Sequence, residues 1–195
     1  MKSLRRFTLV LFTLLWFGGV IVGGLGFRTA TVFASSGGQL IDQPVGSFEA
    51  ASENWSTTLG GEFPGATGTF VRDTADPHYG GYSERISADF TAGGRYVGIS
   101  RGLPSLDAQE LDFWIKSADI NQIEVRMIDN TGQTHQQRIN LTSTPDWQSV
   151  SVTKFNGGTD YTHFGGTNDG VWHGPAKQIW LIIESRSIVG GGKTV

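Results

Sequence analysis

Short runs in which apolar and polar residues alternate one by one recur through the second half of the chain, and this period of two limits the fold more than any other feature. Leu111, Phe113 and Ile115 alternate with Asp112, Trp114 and Lys116, and Ile123, Val125 and Met127 alternate with Glu124 and Arg126. Ile139 and Leu141 alternate with Arg138 and Asn140, and Ile179, Leu181 and Ile183 alternate with Trp180 and Glu184. Successive side chains of an extended strand point to opposite faces. Each run is therefore a strand with one oily face and one mixed face, a pattern that fits a sheet packed on one side only.

Turn signals separate the runs. Asp129-Asn130-Thr131-Gly132 reads as a hairpin turn between two of them, and Pro145 precedes a further run holding Trp147, Val150 and Val152. Earlier in the chain, Ile86, Ala88 and Phe90 form one strand and Val97 and Ile99 another. Glycine supplies 28 of 195 residues, about twice its usual share of roughly 7%, which in an ordered chain means many tight turns. From Phe48 onward no 3.6-period amphipathic stretch is long enough for a helix. Many short strands with turns between them predict an all-β domain, a β-sandwich. With no cysteine in the chain, a packed core replaces any disulfide framework.

The N-terminus has a different character. Lys2, Arg5 and Arg6 precede an apolar run from Phe7 to Phe27, and Val32-Phe33-Ala34 places small residues where a signal peptidase cuts. The reading is a signal segment over 1–34, cleaved after Ala34, followed by a linker over 35–47 and a β-sandwich module over 48–195. The apolar run also approaches the roughly 20 residues that span a bilayer, so retention of residues 7–27 as a membrane anchor stays open. Either outcome puts the remainder outside the cytoplasm, secreted or periplasmic. Four of the 15 basic residues and none of the 18 acidic ones lie in residues 1–34, which leaves the remainder with a formal charge of −7. An acidic domain without a Lys/Arg cluster lacks the electrostatic footprint of nucleic-acid binding. At the other end, Lys193-Thr194-Val195 reads as the opening of one more strand. A sandwich lacking its last strand has an open edge, so the expectation is a chain that runs on.

Several segments, in this order, resemble the galactose-binding-like jelly-roll modules that serve secreted bacterial glycoside hydrolases as carbohydrate-binding modules. They are SFEAASENW at 47–55, GGEFPGATG at 60–68, DPHYGGYSERI at 76–86, GGRYVGISRGLP at 93–104, LDFWIKS at 111–117, DWQSVSV at 146–152 and NDGVWHGPAKQIWLII at 168–183. The same layout is similar to complex I intermediate-associated protein domains, which share the fold. The resemblance implies a jelly roll, attachment to a catalytic domain, and a structural calcium. Its ligands would be Glu49 on the first strand, the loop from Asp76 to Gly80, and an Asp on a strand beyond Val195. Calcium takes several oxygen ligands; Glu49 and the loop opening at Asp76 match the set, and the last-strand Asp is the one expected ligand this sequence does not supply.

If the alternating runs belong to one sheet, its outer face collects Trp114, Arg126, Gln136, Arg138 and Trp180, together with Tyr96. Sugars offer flat C–H faces and a rim of hydroxyls. Aromatic rings give such faces an apolar platform, while guanidinium and amide groups give directional hydrogen bonds. These six residues are the candidate site for a polysaccharide or oligosaccharide. The same residue types also stabilise sheets by cross-strand pairing or dock against a neighbouring domain. Asp169, Trp172 and His173 belong to a Gly-rich loop that either closes one edge of a groove or, through Trp172, plugs the core. Glu62 is a further groove candidate.

Catalytic signatures are absent from the sequence. His78, His135, His163 and His173 have no metal-type spacing, and no G-x-S-x-G elbow occurs. Glu62, Glu124, Asp169 and Glu184 are acids of the kind glycoside hydrolysis needs in pairs, but spacing alone pairs none of them. The expected function is non-catalytic carbohydrate binding, and the alternative is a structural or assembly domain.

Overall fold

The computed structural model describes residues 25–36, 39–51 and 53–195. Among these residues there are twelve strands and no α-helix. They are β1 (Leu25–Ser36), β2 (Gln39–Gly46), β3 (Ser56–Thr58), β4 (Thr67–Asp73), β5 (Ser83–Asp89), β6 (Tyr96–Leu106), β7 (Ala108–Ser117), β8 (Gln122–Ile128), β9 (Thr134–Asn140), β10 (Thr144–Val152), β11 (Thr159–Phe164) and β12 (Ala176–Glu184). The first sheet has the order β10-β7-β1-β5-β4, with β2 paired to β1, and the second has the order β11-β9-β8-β12-β6-β3. Neighbouring strands run antiparallel throughout. One continuous core joins residues from both sheets, as a β-sandwich requires.

The alternation in the sequence is the alternation of the sheets. On β7, Leu111, Phe113 and Ile115 are buried while Asp112, Trp114 and Lys116 are not. Ile123, Val125 and Met127 on β8 meet Ile179, Leu181 and Ile183 on β12 in the same core, with Ile86 and Ala88 of β5 from the opposite sheet. Burying a Leu, Ile or Phe side chain contributes roughly 1.5–3 kcal/mol, and this repeated gain fixes which face of each strand turns inward. The Asp129–Gly132 turn joins β8 to β9 as expected. Asp129 Oδ1 accepts hydrogen bonds from the backbone N–H of Thr131 (2.8 Å) and of Gln133 (3.0 Å), and from the Thr131 hydroxyl (2.7 Å). Gly132 takes the left-handed conformation, φ 86°, that closes the turn.

Two features differ from the sequence reading. Gln39–Gly46, within the expected linker, is a strand that pairs with β1 from Ala30↔Gly46 to Ser36↔Gln39. Its Val45 is buried in the core, and the Gly, Ser and Gln around it disguise the apolar position. Leu25–Ser36, the end of the expected signal segment, lies between β7 and β5. Residues 1–24, which hold most of that segment, lie outside the described residues. No described helix is long and apolar enough to cross a membrane.

Candidate functional site

The alternating runs do not share a sheet, and this divides the six candidate residues. Tyr96 (β6), Trp180 (β12), Arg126 (β8), and Gln136 and Arg138 (β9) lie on the second sheet. Trp114 lies on β7 of the first sheet. Its run has the same polarity pattern as the others, and alternation alone carries no information about which of two sheets a strand joins.

On the second sheet the register lines the residues up. Ser100, Trp180, Arg126, Gln136 and Thr162 stand opposite one another in a single row across β6, β12, β8, β9 and β11. The next row runs Gly98, Ile182, Glu124, Arg138. Gly98 has a packing reason: a Cβ there would lie 2.7 Å from Leu181 O and 2.8 Å from Ile182 Cγ1.

Charges on this face are compensated in place. Arg126 Nε donates to Glu124 Oε1 and to Gln136 Oε1, both at 2.8 Å, and Gln136 Nε2 donates to the Thr162 hydroxyl at 3.2 Å. Arg138 donates to Glu184 through Nε (2.6 Å) and Nη2 (3.0 Å), and through Nη2 to Glu124 Oε2 (3.1 Å). Burial pushes the Glu124 carboxyl up, with Arg126 and Arg138 opposing it. Burial also works upward on Glu184, but the hydrogen bonds and charges of Arg138 and Arg186 outweigh it and leave that carboxyl below its ordinary value. The Arg138 guanidinium is held above its ordinary value, chiefly by Glu184.

Aromatic rings surround the Arg126 guanidinium. Its carbon lies 5.0 Å from the Tyr96 ring centroid and 5.8 Å from those of Phe164 and Trp180, within range for cation–π attraction. Trp180 Nε1 is buried and has no hydrogen-bond partner. The Tyr96 hydroxyl donates to Glu62 Oε1 at 2.6 Å. The loop carrying Glu62 thus folds onto the face, with Phe63 edge-on to Tyr96 at 6.5 Å. Glu62 joins the cluster, as do Thr162 and Phe164, which sequence reasoning missed. Most residues of β11 are at least partly exposed, so no oily alternation marks it.

The Gly-rich loop has a packing role. Trp172 leans on the core, 4.8 Å from the Phe155 ring and 5.2 Å from the His135 ring. Beside it, His135 Nδ1 shares a hydrogen bond with the Tyr161 hydroxyl (2.8 Å), and its Nε2 lies 3.3 Å from Asp129 Oδ2. Burial holds the His135 imidazole below its ordinary value. Asp169 pairs with His173 Nε2 at 2.9 Å and is held well below the carboxylate range, chiefly by that contact.

On the outer face of the first sheet, Trp114 stacks on His78 with centroids 4.0 Å apart. Trp147 lies 5.6 Å from the same His78 ring, and the ring of the exposed Tyr79 stands edge-on to it at 4.2 Å. The two residues named for calcium have partners within the protein. Glu49 lies in the turn after β2, not on a strand, and its carboxylate accepts the backbone N–H groups of Gly81 and Tyr82 at 3.2–3.3 Å. Asp76 pairs with Lys116. Among the described residues no three His, Cys, Asp or Glu side chains converge as a metal site.

Fold and site together define an antiparallel β-sandwich with a polar-aromatic outer face. Compared with protein-family models and with curated proteins, the chain matches none.

Proposed function

We propose that this chain is a non-catalytic carbohydrate-binding module, of the galactose-binding-like jelly-roll type, that works outside the cytoplasm and holds an attached glycoside hydrolase near its polysaccharide. One observation carries the reading. Trp180, Arg126 and Gln136 occupy adjoining register positions on three neighbouring strands, with Tyr96 and Arg138 beside them. Trp180 and the exposed Phe164 supply ring surface for a sugar's C–H face.

Charge compensation points to the ligand class. Both guanidinium forks are already taken by Glu124 and Glu184, so an acidic sugar would have to displace a carboxylate from its Arg, whereas a neutral glycan has only to add hydrogen bonds. A glycosidase acid must be able to give up a proton, and Glu184, tied to Arg138 and Arg186, is held below its ordinary value and stays ionised, which supports a non-catalytic role for that carboxylate.

Affinity electrophoresis of the full chain through gels containing neutral plant or algal polysaccharides tests this. Retardation is expected, lost in Arg126→Ala and Trp180→Ala and kept in Trp114→Ala. Absence of retardation on every glycan overturns it. The assembly-domain alternative draws on a separate observation, the exposed Tyr79 beside His78 and Trp114 on the first sheet. Stable association with another protein that Tyr79→Ala abolishes, without glycan binding, is its signature.

A further inference from the structure

The sequence pairs an Asn or Asp with a following glycine at Asn156-Gly157 and at Asp169-Gly170. Such pairs share one chemistry: the glycine's backbone nitrogen attacks the side-chain carbonyl carbon of the residue before it. Glycine permits this closure best, because it has no Cβ and the widest backbone freedom. A fold suppresses the reaction by tying up that nitrogen and the side chain it would attack. At Asp169 both are tied. Gly170 N donates to Gln133 Oε1 at 2.9 Å. The Asp169 carboxylate lies 2.9 Å from His173 Nε2 and accepts from Val171 N (2.9 Å) and Gln133 Nε2 (3.2 Å). These contacts, His173 first, keep it ionised, and an ionised carboxylate is a poor electrophile.

At Asn156 neither is tied. Among the described residues no acceptor takes the Gly157 N–H, and no partner holds the Asn156 amide. Both residues are partly exposed, so water reaches the bond. The three atoms nearest to a Cβ built at Gly157 all belong to the Lys154 side chain, at 2.8–3.2 Å, a flexible stem. One residue anchors the chain on both sides of this pair. Gln137 Nε2 donates to Lys154 O at 2.7 Å, next to Phe155 in the core. Beyond the pair, Gly158 (φ 108°) packs so closely on Gln137 that a Cβ would collide with its Oε1. Asn156-Gly157 is a short open span between fixed ends.

We propose that Asn156 is a modification site, converting spontaneously to aspartate and isoaspartate in the folded protein while Asp169 is spared. The Gly157 nitrogen gives its proton to water and bonds to Asn156 Cγ. The Cγ–N bond of the side-chain amide breaks, ammonia leaves with a proton, and a cyclic imide closes. Water then opens the ring: attack at Cγ gives aspartate, and attack at the main-chain carbonyl gives isoaspartate, whose backbone runs through Cβ and Cγ. The net change is amide plus water to carboxylate plus ammonium. Either product adds a negative charge, and isoaspartate adds backbone length to the span that leads into β11 at Thr159. None of this rests on the carbohydrate reading.

Peptide mapping by mass spectrometry tests it on the full chain, incubated folded in mildly alkaline buffer and, in parallel, unfolded in guanidinium chloride. In the folded chain the peptide holding Asn156 is expected to gain one mass unit and to split into aspartyl and isoaspartyl forms, while the peptide holding Asp169 stays wholly aspartyl. In the unfolded chain both peptides are expected to yield isoaspartate. Gly157→Ala, whose Cβ meets the flexible Lys154 stem, should slow conversion at Asn156 about tenfold or more, a barrier higher by about 1.4 kcal/mol or greater. An Asn156 peptide that keeps its mass in the folded chain while converting in the unfolded one overturns the proposal. So does isoaspartate at Asp169 forming in the folded chain as fast as at Asn156, and so does an unchanged rate in Gly157→Ala.

Discussion

Arg138 on β9 reaches across β8 to hold Glu184 on β12, Nε to Oε2 at 2.6 Å and Nη2 to Oε1 at 3.0 Å, while its Nη2 also binds Glu124 on the strand between. One guanidinium ties three adjacent strands together on the outer face of the second sheet. Because Glu124 is almost fully buried, the pair is costly to break from one side.

Arg138→Met is expected to lose about 2–3 kcal/mol of stability, below the figure for a fully buried pair because Arg138 is partly exposed. Urea denaturation at pH 7 reads the loss. Arg138→Lys should recover little of it, since an ammonium cannot reproduce the forked contact. A wild-type midpoint in Arg138→Met shows that the network contributes nothing to the fold.

The strands and their inward faces were legible in the sequence because burial writes itself as alternation: Leu111, Phe113 and Ile115 are core residues for the reason they alternate with Asp112, Trp114 and Lys116. Sheet membership was not legible. Trp114 and Trp180 sit in runs of identical pattern, and only long-range pairing, β7 with β10 and β12 with β8, sends them to opposite sides of the molecule. The contribution of Glu62 was equally hidden, since it depends on the approach of a loop to Tyr96. β11 has too little buried surface to mark itself.

That separation makes Trp114→Ala a discriminating control. If binding uses the second sheet, this variant keeps the glycan affinity of the full chain, while Trp180→Ala and Arg126→Ala lose tenfold or more, about 1.4 kcal/mol or greater. Titration calorimetry with a neutral oligosaccharide measures all three. Loss in Trp114→Ala with retention in Trp180→Ala would move the platform to the His78 side.

Gly98 is expected to resist any side chain. Its φ is not in the left-handed region, so the restriction is spatial: the added Cβ meets a backbone carbonyl, Leu181 O, at 2.7 Å. Gly98→Ala should cost about 1–3 kcal/mol by overpacking, read as a lowered thermal midpoint. The central β6–β12 pairing, Gly98↔Ile182, would be the first to lose amide protection.

Glu84 gives the sandwich a pH dependence of unusual sign. The residue is 1% exposed, and neither carboxyl oxygen has a hydrogen-bond partner. Burial pushes its pKa from 4.5 up to about 7, with the charge of Arg72 opposing and that of Glu53 adding. The folded state therefore keeps a proton that the unfolded chain has already lost above pH 4.5. Stability from this group is fully present below that pH, declines as pH rises toward about 7, and is flat above it. The decline is expected to be on the order of 2 kcal/mol, each unit of separation being worth about 1.4 kcal/mol before allowance for solvent screening. Glu84→Gln, neutral at every pH, should remove this decline and be more stable than the unsubstituted chain at pH 8 while matching it near pH 4.5. Urea titrations from pH 4.5 to 8 measure both curves, and parallel curves for the two proteins would mean that Glu84 is ionised in the folded state.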